Sequence, residues 1–248
     1  PEDSMPGSLD ALHMTYAAVV VAAAYFVRGI AGFGSGLIAI PLLAQVLPLA
    51  VVVPAVGLLD YLGSLTHGTR HRAAIRWREL LPLLPFTLLG VFAALYLFQA
   101  VDGDHLRRAL GIFVLAYALY TLTARSVPTG GSRLWAVPGG GLGGLVGTLF
   151  GTGGPFYVIY LGLRGLGKTE FRATIATVFL IDGAARIAGY LGAGFYGADA
   201  LWLAGLALPL MAAGMFVGGR VHTGITQAQF QKAIGVLLLI SGTALALR

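Results

Sequence analysis

The sequence predicts an all-α polytopic membrane protein that is built from two inverted-topology repeats. Hydrophobic residues make up 57% of the chain and charged residues only 10%, whereas a typical soluble domain has about 25% charged residues. Two glycine-rich breaks interrupt apolar stretches at corresponding places in the two halves. The basic residues of the loops gather on one side only if the halves are inverted. These observations together are typical of a transporter in a lipid bilayer.

The first repeat is predicted to cover residues 14–124. Residues 29–59 carry no charge, and as one helix they would measure about 46 Å, more than a hydrocarbon core of about 30 Å. Met14–Ile30 and Leu37–Leu47 are therefore predicted as two short helical arms around the first break. Three full transmembrane helices follow, at Ala50–Leu65, Leu80–Val101 and Leu106–Ala124.

A turn-rich linker, residues 125–133, leads to the second repeat, residues 134–248. Leu134–Phe150 and Pro155–Leu163 are the predicted short arms of the second break. The predicted full spans are Ala173–Leu191, Leu201–Gly219 and Phe230–Leu247. Matching residues recur at nearly constant spacing, as in Pro85 and Pro209, Gly90 and Gly214, Gly111 and Gly235, and Asp60 and Asp182. So many matches in one order indicate an internal repeat.

Loop charges decide between parallel and inverted halves. Parallel halves would divide the basic loop residues evenly between the two sides, against the positive-inside rule. Inverted halves leave only Arg107, Arg108 and Arg248 on the side of the termini. The other side then holds Arg70, Arg72, Arg76, Arg78, Arg125, Arg133, Arg164, Lys168, Arg172, Arg220 and Lys232. We therefore predict inverted halves, with the basic loops in the cytoplasm and both termini outside.

The two breaks are the candidate substrate site. A helix that begins inside a membrane presents unpaired N–H groups and the positive end of its dipole, which together suit an anion. The candidate substrate-binding residues are Gly34, Ser35, Gly36, Thr152, Gly153, Gly154 and Arg28. Arg28 either faces the anion or extends to the membrane surface. Close helix packing is the alternative role for the glycines, and we favour it for the glycines of residues 139–147.

Two carboxylates, Asp60 and Asp182, lie inside predicted spans at repeat-related positions. An ionisable group within a span is costly and indicates a function, so both are candidates for coupling to a proton or sodium gradient. Arg186 is also a coupling candidate, because it lies four residues after Asp182 and can pair with it on one helix face. That pairing leaves a purely structural role open for Asp182. Asp60 has no charged residue four positions away.

Two related segments, GFGSGLIAIPLL and GTGGPFYVIYLGL, resemble the sulfite exporter and anion permease family of the TauE/SafE type. The segment KTEFRATIATVFLIDGAAR after the second copy is similar to that family as well, and the resemblance covers the chain from Met14 on. Both copies depart from the usual GxGGG motif. In the first copy Ser35 replaces a glycine, and in the second copy Pro155 follows the glycine pair. The resemblance implies a bacterial inner-membrane protein that moves sulfite, sulfoacetate, other organosulfonates or carboxylates.

We interpret the chain as a secondary transporter of small anions, with export as the direction that the resemblance favours. No nucleotide-binding loop is visible, so an ion gradient of protons or sodium is the expected energy source. We expect a small anion and the lipid bilayer as partners and no cofactor, metal or nucleic acid, and a homo-oligomer stays open. The alternatives are an anion channel of the same architecture and, less favoured, an intramembrane enzyme with Ser35 as nucleophile. An enzyme of that kind would need a histidine within a span as general base, and the predicted spans offer none.

The predicted topology can be tested with single cysteines, because the chain has no cysteine of its own. Ala73→Cys lies in a basic loop and Ala198→Cys in the loop before Leu201. We expect a membrane-impermeant thiol reagent to label only Ala198→Cys in intact cells, since basic loops stay in the cytoplasm. Labelling of Ala73→Cys from outside would contradict the inverted arrangement.

Overall fold

The computed structural model describes residues 11–31, 34–65, 72–123, 129–221 and 227–246. Over these residues it contains helices joined by turns and loops, and no β-strand. Gly32, Phe33 and residues 125–128 of the predicted linker lie outside these ranges. The α-helices are α1 (Ala11–Ala31), α2 (Ser35–Leu43), α3 (Leu49–Leu65), α4 (Trp77–Leu80), α5 (Leu83–Ala100), α6 (Gly103–Thr123), α7 (Ala136–Phe150), α8 (Gly154–Leu163), α9 (Lys168–Gly192), α10 (Ala198–Arg220) and α11 (Gln227–Ala246).

Five of these helices, α1, α5, α6, α9 and α10, are long and apolar enough to cross a membrane. This finding confirms the predicted all-α membrane fold class. Two helices differ from their predicted roles in the membrane. The predicted short arm α1 has 21 residues and is one of the five candidate spans, whereas α3, predicted as a full span, has 17 and is one of the shorter apolar helices. The division into two repeats and a linker stays a prediction.

Each pair of arms forms an antiparallel hairpin. At the base of the second hairpin, the N–H groups of Gly130 and Gly131 donate to the Leu163 carbonyl at 2.9 and 3.1 Å. The start of α7 therefore lies beside the end of α8, and the break forms the tip. In the first hairpin, the Tyr16 hydroxyl of α1 donates to the Leu42 carbonyl of α2 at 3.1 Å. A hairpin that returns to its starting side adds no net crossing, which is compatible with inverted repeats.

The helices of the two halves pack against each other in exchanged pairs. α1 packs most extensively on α10 and α7 on α5, while α6 packs on α11 and α3 on α9. Two repeat-related glycines serve the equivalent contacts. A Cβ on Gly90 of α5 would lie 2.7 Å from the Leu145 nitrogen of α7, and a Cβ on Gly214 of α10 would lie 3.0 Å from the Phe26 nitrogen of α1. Equivalent glycines at equivalent contacts are what a repeat with exchanged helices would show.

The glycines of α7 allow two neighbouring helices to approach its backbone. A Cβ on Gly140 would lie 2.6 Å from the Leu83 carbonyl oxygen, and one on Gly144 would overlap the Thr87 carbonyl oxygen. On another face, a Cβ on Gly143 would overlap the Tyr157 ring of α8. The packing role that we favoured for these glycines is therefore confirmed at all three positions.

A buried carboxylate ties α4 to the base of the second hairpin. Glu79 accepts hydrogen bonds from Arg133 at 2.9 Å, from the Arg164 Nε at 2.8 Å and from the Tyr160 hydroxyl at 3.2 Å. Nearby, Arg76 pairs with Glu170 across the same end of the molecule. Described loops that we predicted to share one side of the membrane thus lie together. Burial acts to raise the pKa of Glu79, but the hydrogen bonds from the two arginines outweigh it and hold that pKa below its ordinary value.

Gly144→Ala should destabilise the protein by about 1–3 kcal/mol, because its methyl group would overlap the backbone of α5. Gly141→Ala, in the same helix, is the matched control, since a Cβ there meets no atom within 4 Å. The control should be neutral or slightly stabilising, because alanine is the better helix former. Thermal unfolding in detergent measures both, and equal midpoints for the two variants would contradict the packing role.

Glu79→Gln should lower the stability at neutral pH by about 1–2 kcal/mol, because it removes the negative charge that pairs with Arg133 and Arg164. The loss is moderate because Arg133 is partly exposed, and solvent screens its charge. The pKa of Glu79 is depressed in the folded state, so its contribution is present above the unfolded value of about 4.3 and is lost as the pH falls through the folded value. Midpoints measured across this range should therefore converge for wild type and variant at low pH. A constant difference would show that Glu79 stabilises the fold independently of its charge.

Candidate functional site

The tips of the two hairpins meet in the structure. A Cβ on Gly36, at the start of α2, would lie 2.7 Å from the Gly151 carbonyl oxygen of the second break and 3.3 Å from Oδ2 of Asp60. Among the described residues of the two breaks, Gly34 (φ 97°) and Gly151 (φ 64°) have left-handed backbone conformations. Residues other than glycine rarely adopt this backbone conformation. The breaks predicted from the sequence therefore adjoin one another and α3.

At the first break, Arg28 and Asp60 form an ion pair that the sequence analysis did not predict. Arg28 Nη1 lies 2.6 Å from Oδ1 of Asp60 and also donates to the Ser35 hydroxyl at 2.9 Å. Its Nη2 donates to the Asp60 carbonyl at 2.9 Å and to the Ser64 hydroxyl at 2.8 Å. Both terminal nitrogens of this buried arginine are thus committed to protein partners.

Asp60 is equally well bonded. Its Oδ1 also accepts hydrogen bonds from the Tyr25 hydroxyl at 2.8 Å and from the Ser35 hydroxyl at 2.6 Å. Because Ser35 and Gly36 are the first residues of α2, a carboxylate already lies beside the positive end of that helix. The first break therefore has its own internal anion. The pair could not be found by local spacing, because Arg28 and Asp60 belong to different helices.

The pair at the second break is much looser. Arg186 approaches Asp182 through a single contact, Nη1 to Oδ2, at 3.5 Å. Over the described part of the chain, neither Oδ1 of Asp182 nor Nε of Arg186 has a hydrogen-bond partner. The Asp182 side chain is only 3% exposed, so water does not readily replace the missing protein partners. The predicted pairing of these two residues is present, but it leaves one oxygen of Asp182 and one nitrogen of Arg186 without a partner among the described residues.

Other buried polar groups near this pair also lack partners. The hydroxyls of Thr87, Thr148, Thr152 and Tyr157 make no hydrogen bond to any described residue. The Tyr157 hydroxyl lies beside Thr87 and Asp182 and within electrostatic reach of Arg186. Buried polar groups are nearly always hydrogen-bonded in native proteins. Unpartnered groups of this kind, together with the loosely paired arginine, make the second break the candidate ligand site.

The Arg186 guanidinium lies between α3 and the second break. A Cβ on Gly57 of α3 would be 3.4 Å from its Nη2, and a Cβ on Gly147 of α7 would be 3.5 Å from its Nη1. The same Cβ on Gly147 would be 3.5 Å from the Cα of Gly153. The guanidinium is therefore close to the start of α8, and it also lies within electrostatic reach of Asp60.

Three aromatic residues pack together around the turn between α9 and α10, and two of them, Tyr190 and Tyr196, lie within electrostatic reach of Arg186. The ring of Tyr190 meets those of Phe195 and Tyr196 edge-on, with centroids 6.1 and 6.2 Å apart. The Tyr190 hydroxyl donates to the Thr148 carbonyl, and that of Tyr196 to the Pro54 carbonyl at 3.4 Å. These contacts join the turn to α7 and α3. The sequence analysis did not assign these aromatic residues to the site.

The glycines of the second break have packing roles as well. Gly153 has a φ of −68°, and the glycine with a positive φ in this break is Gly151. A Cβ on Gly153 would lie 3.0 Å from the Cα of Gly147 on α7, and one on Gly154 would lie 3.3 Å from the Phe179 ring. Substitution at Gly153 would therefore disturb the hairpin itself, whatever its role in binding.

The described residues contain no cluster of histidine and carboxylate side chains that could hold a metal ion. The Ser35 hydroxyl donates to Asp60 and accepts from Arg28. No histidine takes part in these bonds, so the geometry that an activated serine nucleophile needs is not formed there.

Comparisons with known proteins agree with the architecture. The family model described as "Sulfite exporter TauE/SafE" matches residues 16–245. A protein of Comamonas testosteroni, named "Probable inner membrane transporter protein TsaS", is 30% identical over 197 residues, which cover 76% of this chain and 80% of that protein. No solved structure matches. A family match over nearly the whole chain, on an all-helical membrane fold, points to a transporter rather than an enzyme. The chain belongs to the TauE/SafE sulfite exporter family.

Proposed function

We propose that the protein is a secondary transporter of small anions such as sulfite, sulfoacetate or other organosulfonates, and that the anion binds beside Arg186 at the second break. The observation that carries this proposal is the incomplete bonding of Arg186 and its surroundings. Its Nε and the hydroxyls of Thr148, Thr152 and Tyr157 are buried without partners among the described residues. A sulfonate or sulfite offers several acceptor oxygens to such donors.

Charge favours the second break over the first. Asp60 neutralises Arg28 at 2.6 Å and also lies beside the start of α2. An anion at the first break would have to displace Arg28 from this close ion pair and from its hydrogen bonds to the Ser35 and Ser64 hydroxyls. At the second break, the start of α8 and the loosely paired Arg186 both present positive potential. We therefore propose that the anion binds at the second break, in place of the site formed jointly by both breaks that the sequence suggested.

This proposal exchanges two roles that the sequence had suggested. Arg28, a predicted substrate ligand, becomes a structural partner of Asp60 together with Ser35. Arg186, a predicted coupling residue, becomes the principal substrate contact. Gly34 and Gly36 shape the first tip, and Thr152 with the backbone at Gly153 and Gly154 lines the proposed site.

The setting of the proposed activity follows from the family and from the loop charges. We place the protein in a bacterial inner membrane with its basic loops in the cytoplasm, as the positive-inside rule requires. The curated relative is named as an inner-membrane transporter, which supports this location. An ion gradient supplies the energy, and the resemblance to exporters favours outward movement of the anion.

Arg186→Gln should weaken binding of methanesulfonate at least about tenfold, because it removes the positive charge that the proposed site offers to the anion and the hydrogen bonds that the guanidinium donates. Thr152→Ala should weaken it by about 0.5–1.5 kcal/mol, the usual net value of one hydrogen bond. Thr152→Ser keeps the hydroxyl and should bind nearly as wild type. Dissociation constants are measured calorimetrically on monodisperse protein in detergent.

Thr243→Ala is the matched control for Thr152→Ala. Thr243 is exposed on α11, where its hydroxyl bonds to the Leu239 carbonyl of its own helix, so its loss should leave the affinity unchanged. The proposal would be wrong if folded Arg186→Gln bound methanesulfonate with the affinity of wild type. A loss of affinity in Thr243→Ala as large as that in Thr152→Ala would show that the threonine effect is not specific.

A further inference from the structure

We infer that Asp182 carries a proton together with the anion, because Asp182 and the bound anion compete for the single guanidinium of Arg186. This inference rests on the proposed function and assigns its coupling step. Without an anion, Asp182 is paired with Arg186 at 3.5 Å. With an anion on Arg186, Asp182 has no cation left in its surroundings. The carboxylate then binds a proton, and the proton is released again when the anion leaves.

The energetic basis is the burial of Asp182. Its side chain is 3% exposed, and its Oδ1 has no partner in the described part of the protein. An ionised carboxylate left without a partner in a low-dielectric interior is strongly disfavoured, and such a group takes up a proton instead. One cation cannot neutralise two anions in such a site. Binding of a monoanion therefore requires uptake of about one proton.

The surroundings of Asp182 accept its protonated form. The Tyr157 hydroxyl lies beside Asp182 and Thr87, but its geometry does not satisfy a hydrogen bond to any described residue. A tyrosine hydroxyl can donate to a carboxylate or accept from a carboxylic acid. The proton comes from water on the side to which the site is open and returns to water on the side to which the anion is released.

Asp60 does not fit the same role. Its Oδ1 accepts hydrogen bonds from Arg28, Tyr25 and Ser35, and none of these donors is needed by the proposed anion. Asp60 therefore keeps its cation whether the anion is bound or not. The other titratable groups that face Arg186 are Tyr157 of α8, Tyr190 of α9 and Tyr196 of the following turn. Of the groups around Arg186, only Asp182 loses its counter-ion when the anion arrives.

The inference has a consequence for direction. An anion and a proton that bind together also cross together, and for a monoanion their joint movement is electroneutral. An inward proton gradient then favours uptake of the anion. Export, which the family resemblance favours, would require an outward anion gradient larger than the proton gradient.

The test is calorimetric titration of the full chain with methanesulfonate, which stays ionised over the usable pH range. Titrations in two buffers with different ionisation enthalpies give the number of protons taken up for each anion bound. We expect about one proton for wild type between the pH at which Asp182 deprotonates in the free protein and the higher pH at which it deprotonates in the complex. Within this window the affinity should fall about tenfold for each pH unit, and above it the affinity should no longer depend on pH. Asp182→Asn should bind with no proton uptake and with an affinity independent of pH. Asp199→Asn, at an exposed position, is the matched control and should behave as wild type.

The outcomes separate the two proposals. Folded wild type that does not bind methanesulfonate or sulfite overturns the proposed function and this inference with it. Wild type that binds without proton uptake overturns the inference alone, and this measurement needs no variant. Proton uptake that persists in Asp182→Asn, or disappears in Asp60→Asn that still binds, assigns the proton to another group and also overturns it.

Discussion

A charge inside a membrane protein must be neutralised where it lies, and this constraint organises the core of the molecule. Arg28 and Asp60 meet it completely, with short contacts to each other and to hydroxyls on three helices. Arg186 and Asp182 meet it only in part, with one long contact. A saturated pair has little to gain from a ligand, whereas an unsaturated one is stabilised when a ligand supplies the missing partners. The difference between the two pairs is the basis for proposing that one is a structural centre and the other the binding centre.

In the predicted repeat, the two centres differ by an exchange of residues. Gly147 follows Arg28 at the same spacing as that between Gly34 and Gly153, so the second hairpin carries a glycine where the first carries the arginine. In the second half the positive charge comes instead from Arg186 of α9. The Nη1 atom of Arg186 lies 3.5 Å from the position that a Cβ on Gly147 would occupy. A symmetric scaffold thus acquires one polar site. A single substrate needs only one.

Glycine serves both packing and function in this fold, and the two roles cannot be separated by substitution at every position. Backbone-to-backbone contacts of α7 with α5 and α8 hold the second break in place. Gly153 lies within this contact and also at the start of α8. A side-chain hydroxyl such as that of Thr152, which packs without such overlap, is therefore the more informative probe of the break.

Composition, periodicity and the repeat determined the fold class and most helix boundaries from the sequence alone. Apolar spans must match the bilayer thickness, and breaks in them are visible as glycine and proline. The sequence also located both breaks and the pairing of Asp182 with Arg186, because the partners are four residues apart. These are local features, and local features can be read without coordinates.

Only the tertiary structure decided which arginine is free to bind an anion. The partner of Asp60 comes from another helix, and the aromatic residues near Arg186 lie around a turn that no motif marked. The degree to which each charge is satisfied depends on distances between helices, and hydropathy and spacing contain no information about those distances. The assignment of Arg28 and Arg186 therefore had to wait for the packing of the two hairpins against α3 and α9.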